Sequence, residues 1–277
     1  MSVISKVRKL ITTPSYTLGR FRVVRSGYSA ARGLFDPQSQ TSLLSESVYY
    51  QKVDVAATVK TIRLDSYAML PVMAPDVVWQ IHEFAKTELL KGQLDLGQFH
   101  YRDIHEGRLP DGRPVALAHV IDPGRSPVVA ALRDDPILSS IARKYLGYNP
   151  RRLDVNLYWS FHVQMTESER RGQNQTIDYH FDVHDFNFSY YHMYVTDTHT
   201  ANGAHALVRG SHIRKPFRWL FGSARQTDEN IANYYPSKDI ITLEGPGGTA
   251  FFEDTSCYHK AIPPRAGERL LLQIRYH

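Results

Sequence analysis

The 277-residue chain has almost no cysteine, and Cys257 is its single thiol. An internal disulfide is therefore excluded, and a reducing, cytoplasmic compartment is the simplest expectation. Apolar runs of the ~20 residues that a membrane-spanning helix needs are missing, and no apolar core follows the first basic residues as in a secretory signal. Internal repeats and low-complexity segments are also missing. These absences leave a globular protein with one sizeable core.

Acidic residues are missing from the first 35 positions, where seven basic residues stand. Subtracting these seven from the 33 basic residues leaves 26 against 28 acidic ones, so the net charge of +5 comes from this stretch. We divide the chain into a basic N-terminal arm, residues 1–50, and a domain, residues 51–277. Such an arm can lie on an anionic surface, although a solvated extension is the simpler expectation. The nearly neutral remainder gives no support for nucleic-acid binding.

Two helices and a short strand are predicted before residue 150. The run 64–71 has the composition of a strand. Pro75 is typical of a helical first turn, and apolar residues at helical spacing follow from 77 to 89, with Gly92 placed to end the helix. A second helix is predicted over 135–147, with an aspartate to cap it, a proline in its first turn and a glycine at its end.

After residue 150 the pattern changes from helical spacing to strand alternation. Apolar residues from Val155 to Val163 alternate with more polar ones, which predicts a strand with one apolar and one polar face. Further short strands, separated by glycine and proline, are predicted over 190–196, 239–243, 249–253 and 270–276. Helices followed by many short strands predict an α+β, mainly β fold in which helices pack on a double-sheet core.

The motif His180-Phe181-Asp182 is the first sign of chemistry. Residues two apart on a strand point to the same face, so its imidazole and its carboxylate can reach one metal ion. The motif alone is a weak signal, because a chain with 13 histidines is expected to contain such a pair by chance. His184 also forms the reversed spacing with Asp182, so the sequence leaves open which of the two histidines shares a metal ion with Asp182.

Two later residues complete a pattern. His259 follows the predicted strand 249–253, and two histidines with one carboxylate leave the other positions of an iron ion open for cosubstrate and oxygen. Arg269 stands ten residues later at the start of the final predicted strand. Its planar guanidinium can hold a carboxylate through two parallel hydrogen bonds. The order and spacing of these residues indicate the site better than any one of them.

The same residues stand among several motifs, namely 64–71, Asp135-Pro136, 145–150, His180-Phe181-Asp182, Arg209-Gly210-Ser211-His212, Gly247-Gly248-Thr249, His259 and Arg269. On these motifs the segment from Leu64 to Tyr276 resembles the phytanoyl-CoA dioxygenase family, which includes ectoine hydroxylases. The resemblance implies a double-stranded β-helix, a jelly-roll or cupin-like core with packed N-terminal helices. It implies that His180, Asp182 and His259 ligate Fe(II), and that Arg269 binds the distal carboxylate of 2-oxoglutarate. It further implies O2 as the oxidant and a small-molecule substrate.

The chain departs from the family pattern in the cosubstrate pocket. Many relatives carry a hydroxyl two residues after the distal histidine, where this chain has Ala261, and Pro263-Pro264 replace an asparagine often found nearby. Another donor must complete the pocket, and the candidates are Asn156, Tyr158, Tyr194 and Thr249. The carboxylate of Asp182 argues against a halogenating relative, since a small residue there makes room for halide.

Two other interpretations stay open. A jelly roll that binds a metal or another ligand without turnover would keep the same residues. A different metalloenzyme on a cupin-like barrel, such as an isomerase, would share the histidines and the carboxylate. The spacing of Arg269 and the lack of an obvious further histidine or glutamate ligand favour the dioxygenase. Hydroxylation of an unactivated C–H bond is the expected reaction, and desaturation or ring closure stays open. The remaining histidines near the motifs, His184, His192 and His205, are expected to be hydrogen-bonded side chains and not ligands.

Overall fold

A computed structural model of the chain describes residues 14–36, 47–172 and 175–277. Within these ranges the helices are α1 (Pro14–Leu18), α2 (Arg22–Phe35), α3 (Val55–Asp65), α4 (Pro75–Thr87), α5 (Pro127–Arg133), α6 (Pro136–Leu146), α7 (Glu167–Gly172), α8 (Phe217–Leu220) and α9 (Asp228–Tyr234). Most of the helical residues precede the long strands. None of the described helices is long and apolar enough to cross a bilayer.

Two antiparallel sheets form the centre of the molecule. Their strands are β1 (Tyr67–Met69), β2 (Leu89–Gly92), β3 (Gln98–His100), β4 (Leu117–Val120), β5 (Leu153–Phe161), β6 (Tyr179–His180), β7 (Ser189–Tyr194), β8 (His205–Val208), β9 (Arg225–Gln226), β10 (Ile240–Leu243), β11 (Ala250–Glu253), β12 (His259–Ala261) and β13 (Glu268–Tyr276). The larger sheet has the order β1-β11-β7-β13-β5-β4-β2-β3, and the smaller has the order β10-β8-β12-β6-β9. Except for β2 and β3, neighbouring strands in the sheets are far apart in sequence, as in a jelly roll. The predicted fold is confirmed.

The pair β5–β13 shows how alternation places residues on the two faces of the larger sheet. Trp159 and Leu270 are fully buried in the core that the sheet shares with the helices. Burying an apolar side chain of this size contributes ~1.5–3 kcal/mol. Tyr158 and Arg269, one position along each strand, line a cavity on the other face. The alternation predicted for β5 is therefore confirmed, and its more polar face is the one that can hold a site.

The helix predicted over 135–147 is confirmed together with its two ends. Oδ1 of Asp135 accepts hydrogen bonds from the N–H groups of Ile137 and Leu138 at 2.9 and 3.0 Å. Gly147 ends the helix at φ 83°, in the left-handed region that glycine adopts without strain. Local chemistry is sufficient to set both boundaries of α6.

Two other predicted boundaries are wrong. The helix that begins at Pro75 ends at Thr87, because residues 89–92 form β2 between β3 and β4. The run 64–71 is a strand only from 67 to 69, because Leu64 and Asp65 are the last residues of α3 and Ser66 turns the chain at φ 74°. Short apolar runs suit a helix or a strand, and the pairing with distant strands decides between them.

Part of the basic N-terminal stretch packs against the sheets. Helix α2 buries Arg25, which is 9% exposed. Further along, the hydroxyls of Tyr50 and Tyr191 share a hydrogen bond of 2.7 Å that joins this stretch to β7. The first basic residues of the predicted arm, Lys6, Arg8 and Lys9, lie outside the described residues.

Candidate metal centre and cosubstrate cavity

The three predicted metal ligands converge beside the smaller sheet. His180 on β6 and His259 on β12 are directly opposite each other in the antiparallel pair, and Asp182 follows β6. The Nε2 atoms of His180 and His259 lie 3.8 and 3.9 Å from the Asp182 carboxylate. One ligand atom from each residue lies within 4.8 Å of the other two. These three side chains could hold one metal ion.

The second nitrogen of each histidine ring is already bonded to the backbone. Nδ1 of His180 lies 3.1 Å from the Asp178 carbonyl, and Nδ1 of His259 lies 3.1 Å from the Cys257 carbonyl. A carbonyl only accepts, so each Nδ1 carries the proton and each Nε2 is left with a lone pair. The backbone therefore fixes the tautomer and the ring orientation that a metal ion at Nε2 requires.

The protonation states also suit a metal ion. Burial, together with the neighbouring His259, lowers the pKa of His180 to about 4. Burial alone would raise the pKa of Asp182, but His259 and His180 hold the pKa of this carboxyl below its usual value. Neutral imidazole and ionised carboxylate are the forms that bind metals.

His184 does not join this group. Its Nε2 lies 3.9 Å from the Asp182 carboxylate, and its side chain is 34% exposed. Its nitrogens fall outside the set of ligand atoms that lie within 4.8 Å of one another. The structure thus brings together His180 and Asp182, and not the reversed spacing of Asp182 and His184.

Arg269 is a buried cation at the start of β13, with only 2% of its surface exposed. Nη1 donates to the Gly203 carbonyl, and Nη2 donates to Oγ of Ser160 at 3.1 Å. Nε has no hydrogen-bond partner in the described part of the chain. Over the ranges that the structure describes, no carboxylate forms an ion pair with this guanidinium. A buried, uncompensated charge is costly, so the position suits the carboxylate of a ligand.

A cavity of about 310 Å³ lies beside Arg269. Its wall contains residues of β4, β5 and β13, the segment that leads to β6, and the residues that follow His259 on β12. Of the predicted pocket residues, Asn156 and Tyr158 line this cavity, and so does Ala261. The structure therefore brings the arginine, an amide and a phenol together around one space.

Two other predicted pocket residues lie outside the cavity wall. The Tyr194 hydroxyl donates to the Leu243 carbonyl at 2.9 Å and accepts from the His205 N–H at 2.9 Å. The hydroxyl therefore both donates and accepts a hydrogen bond within the fold. The Thr249 hydroxyl is buried and has no hydrogen-bond partner among residues 14–36, 47–172 and 175–277. The structure does not bring either residue into the wall beside Arg269.

A buried glutamate next to the candidate ligands was not singled out from the sequence. Oε2 of Glu253 lies 3.0 Å from Nε2 of His205 and 3.4 Å from Nε2 of His192, and Cys257 donates to Oε1 at 3.2 Å. Burial alone would raise the pKa of Glu253, but His205 and His259 bring it to about 2. The carboxylate is therefore ionised inside the barrel.

Glu253 is linked to the candidate ligand His259 through the ring of His205. The His205 ring stacks on that of His259, with centroids 5.4 Å apart. His205 is hydrogen-bonded as predicted, whereas His192 lies at ion-pair distance without a hydrogen bond. Alternation along β7, β8 and β11 points these residues inward, and that is the one sequence signal that could have found them.

The chain matches a protein-family model described as phytanoyl-CoA dioxygenase (PhyH) over residues 86–268. A search of curated protein sequences gives no match. Among solved structures the chain is similar to the non-heme alpha ketoglutarate dependent epimerase SnoN from nogalamycin biosynthesis. The identity is 14%, the TM-score is 0.54, and 80% of this chain and 82% of SnoN are covered.

Two further solved structures have the same fold. EvdO2 from Micromonospora carbonacea var. aurantiaca, complexed with 2-oxoglutarate, is 17% identical with a TM-score of 0.51, covering 83% of this chain and 93% of EvdO2. EctD from S. alaskensis in its apoform is 16% identical with a TM-score of 0.51, covering 84% of this chain and 82% of EctD. At these identities the likeness shows the fold alone.

Proposed function

The chain belongs to the phytanoyl-CoA dioxygenase family, and from this premise we propose that it hydroxylates an unactivated C–H bond of a small molecule. Oxygenases of this family use iron, 2-oxoglutarate and dioxygen. The observation that carries the proposal is the pairing of two features in one barrel. One is the His–Asp–His group, and the other is a buried arginine that lies beside a cavity and has no counter-ion among the described residues.

His180, Asp182 and His259 hold the iron in this proposal. The mutual distances of their ligand atoms and the bonded Nδ1 atoms of both rings support it. Two imidazoles with one carboxylate suit Fe(II), and three protein ligands on one side leave positions open for cosubstrate and oxygen.

Arg269 holds the distal carboxylate of 2-oxoglutarate. The support is its burial in the cavity wall and its Nε, which has a hydrogen still to donate. Asn156 and Tyr158 supply an amide and a phenol in the same wall. These two groups take the place of the hydroxyl that is missing at Ala261.

Iron, when bound, would activate dioxygen, which is the oxidant, and 2-oxoglutarate would supply two electrons as it is converted to succinate and carbon dioxide. The chain itself binds the cosubstrate, orients the ligand rings and shields the site from water. Arg269 fixes one end of the cosubstrate, and the backbone carbonyls of Asp178 and Cys257 hold the ligand rings. An apolar cluster that includes Phe251 and Leu271 fills the space between the sheets and keeps water out.

An anaerobic titration of metal-free protein with Fe(II) and then 2-oxoglutarate tests the proposal. We expect a weak visible charge-transfer band that requires both additions and disappears in His259→Ala. The matched control is His184→Ala, which should keep the band because His184 lies outside the ligand group. A folded, iron-loaded wild type without the band would contradict the proposal and favour a jelly roll that binds without turnover.

The reaction type is tested on a substrate found by screening for stimulated 2-oxoglutarate decarboxylation. Hydroxylation adds one oxygen atom from isotopically labelled dioxygen to the product, which mass spectrometry detects. A product of unchanged composition would instead indicate an epimerisation, the activity by which SnoN is described. A product that has lost two hydrogens would indicate desaturation or ring closure.

A further inference from the structure

Arg25 on helix α2 contacts two loops next to the candidate ligands. One loop contains Asp182, and the other leads to His259. We call residues 181–188, which include Asp182, the first loop, and residues 254–258, which lead to His259, the second loop. In the first loop, Oδ1 of Asn187 accepts hydrogen bonds from Nε and Nη2 of Arg25 at 3.1 and 2.7 Å. The contact joins the N-terminal helix to the segment that positions Asp182.

The same guanidinium reaches the second loop. Nη2 of Arg25 lies 3.1 Å from both carboxylate oxygens of Asp254, and Nη1 donates to Oγ of Ser256. Asp254 is 1% exposed. A planar guanidinium offers donors in several fixed directions, which a lysine ammonium cannot reproduce. One side chain therefore holds an amide, a carboxylate and a hydroxyl from two separate loops.

The two loops also meet next to the candidate ligands. The Asp182 N–H donates to the Thr255 carbonyl at 2.8 Å, and Nδ1 of His259 donates to the Cys257 carbonyl at 3.1 Å. The second loop thus sets both the backbone of Asp182 and the ring of His259. A shift of this loop relative to the first would change the spacing of the ligands.

The charge of Arg25 does not explain its burial by itself. Burial lowers the pKa of Arg25, but Asp254 outweighs this effect and keeps the guanidinium charged. A buried ion pair often contributes little net stability, because desolvation of both charges offsets their attraction. What the pair provides here is a fixed geometry between two loops.

We propose that Arg25 is a positioning residue that ties the first loop to the second and so holds Asp182 and His259 at the spacing that iron binding requires. The inference rests on the proposed iron site. It gives the acid-free N-terminal stretch a role within the fold, since Arg25 is one of its seven basic residues.

The test compares Arg25→Ala with Arg22→Ala. Arg22 is exposed and stands about one turn earlier on the same helix. It borders the same crevice as Asn187 and Asp254, but within the described ranges its guanidinium forms no hydrogen bond or ion pair with either loop, so the control removes the same charge without removing these bonds. We expect Arg25→Ala to weaken the apparent affinity for Fe(II) about 10- to 100-fold, as the loss of partners behind metal ligands does. Arg22→Ala should bind as the wild type does, at a temperature where all variants are folded.

Hydrogen exchange of the metal-free protein supplies a readout that is independent of iron and activity. Amides in residues 181–188 and 254–258 should exchange faster in Arg25→Ala and remain protected in Arg22→Ala. Arg25→Lys keeps a charge beside Asp254 but cannot also reach Asn187 and Ser256. It should therefore restore thermal stability without restoring iron affinity, which separates positioning from stabilisation.

If Arg25→Ala does not fold, Asn187→Ala tests the same inference with the loss of fewer contacts. Asn187→Ala removes the hydrogen bonds from Arg25 to the first loop and leaves the ion pair and the contact with the Phe188 ring, so weakened iron binding in the folded variant supports the inference. Wild-type affinity and unchanged exchange in folded Arg25→Ala, or in Asn187→Ala if Arg25→Ala does not fold, would overturn it. A wild type without the Fe(II)–2-oxoglutarate band would mean that the proposed function has failed. A normal band in the wild type, together with equal Fe(II) affinities of the wild type and Arg25→Ala, would contradict only the role of Arg25.

Discussion

Nη2 of Arg269 donates a 3.1 Å hydrogen bond to Oγ of Ser160 across the strand pair β5–β13. The serine orients the guanidinium without neutralising it. The charge can therefore be matched by a ligand carboxylate, which forms the stronger, charge-assisted kind of hydrogen bond.

Replacing Arg269 should impair cosubstrate binding and leave metal binding intact. A hydrogen bond to a charged group contributes ~1.5–3 kcal/mol, so Arg269→Gln should raise the KM for 2-oxoglutarate about 10- to 100-fold. The apparent affinity for Fe(II) alone should not change. Steady-state decarboxylation measures the first quantity and metal titration the second. Arg265→Gln, in the exposed loop before β13, is the control, and an equal KM in the two variants would contradict the role of Arg269.

Restoring a hydroxyl at position 261 should strengthen cosubstrate binding. Ala261 lines the cavity with Arg269, and serine adds one hydroxyl donor with little extra volume. A net gain of ~0.5–1.5 kcal/mol corresponds to a KM for 2-oxoglutarate about two- to tenfold lower in Ala261→Ser. Ala266→Ser adds the same hydroxyl at an exposed position and should have no effect. An unchanged KM in both variants would place the carboxylate away from Ala261.

The buried carboxylate of Asp254 should make stability depend on pH. Burial alone would raise its pKa, but Arg25 beside it holds the pKa well below the usual value. The unfolded chain takes up this proton near pH 3.9, before the folded chain does. The contribution of Asp254 is therefore complete above about pH 5 and is lost as the pH falls through and below 4.

Urea unfolding of metal-free protein between pH 6 and 3 measures this dependence. The free energy of unfolding should fall with acidification more steeply in the wild type than in Asp254→Asn, by up to ~1.4 kcal/mol per pH unit for one proton. Asp122→Asn, at an exposed position, should keep the wild-type slope. Equal slopes in the wild type and Asp254→Asn would show that the carboxylate is not held in its charged form.

The alternative that the N-terminal stretch lies on an anionic surface, and not free in solvent, can be tested on the outward face of α2. Val23, Leu34 and Phe35 are 84%, 80% and 88% exposed, and the stretch has no acidic residue. Apolar side chains flanked by arginines suit an anionic bilayer.

Contact with such a surface predicts that the protein cosediments with vesicles that contain phosphatidylserine and is released as salt is raised. Binding should weaken in Leu34→Ser and should be retained in Trp79→Ser, which removes an apolar side chain that is 63% exposed elsewhere. Equal retention on vesicles of pure phosphatidylcholine, or no retention on either kind, would contradict the prediction.

The features that could be predicted from the sequence are those that depend on short spacing. Asp135 and Gly147 mark the ends of α6 because capping involves residues only a few positions apart. His180 and Asp182 share a face because they are two apart. Alternation identified the polar face of β5, and with it Asn156 and Tyr158 in the cavity wall.

The features that could not be predicted depend on contacts across the fold. Arg25 meets Asp254 over 229 positions of sequence, and no local pattern distinguishes this arginine from Arg22. Alternation turns Glu253 inward but does not say that His205 lies opposite it. The end of α4 was missed for the same reason, because β2 exists only where β3 and β4 pair with it.

The position of β13 has a consequence for how the chain is made. It lies between β5 and β7 in the larger sheet, yet it leaves the ribosome after both. Until it arrives, β5 and β7 each present an open edge of unpaired backbone groups, which invites pairing with other chains. Arg269 arrives on the same strand, so a nascent chain acquires the proposed cosubstrate anchor only when the sheet closes. The interval before closure is when this protein is most exposed to aggregation.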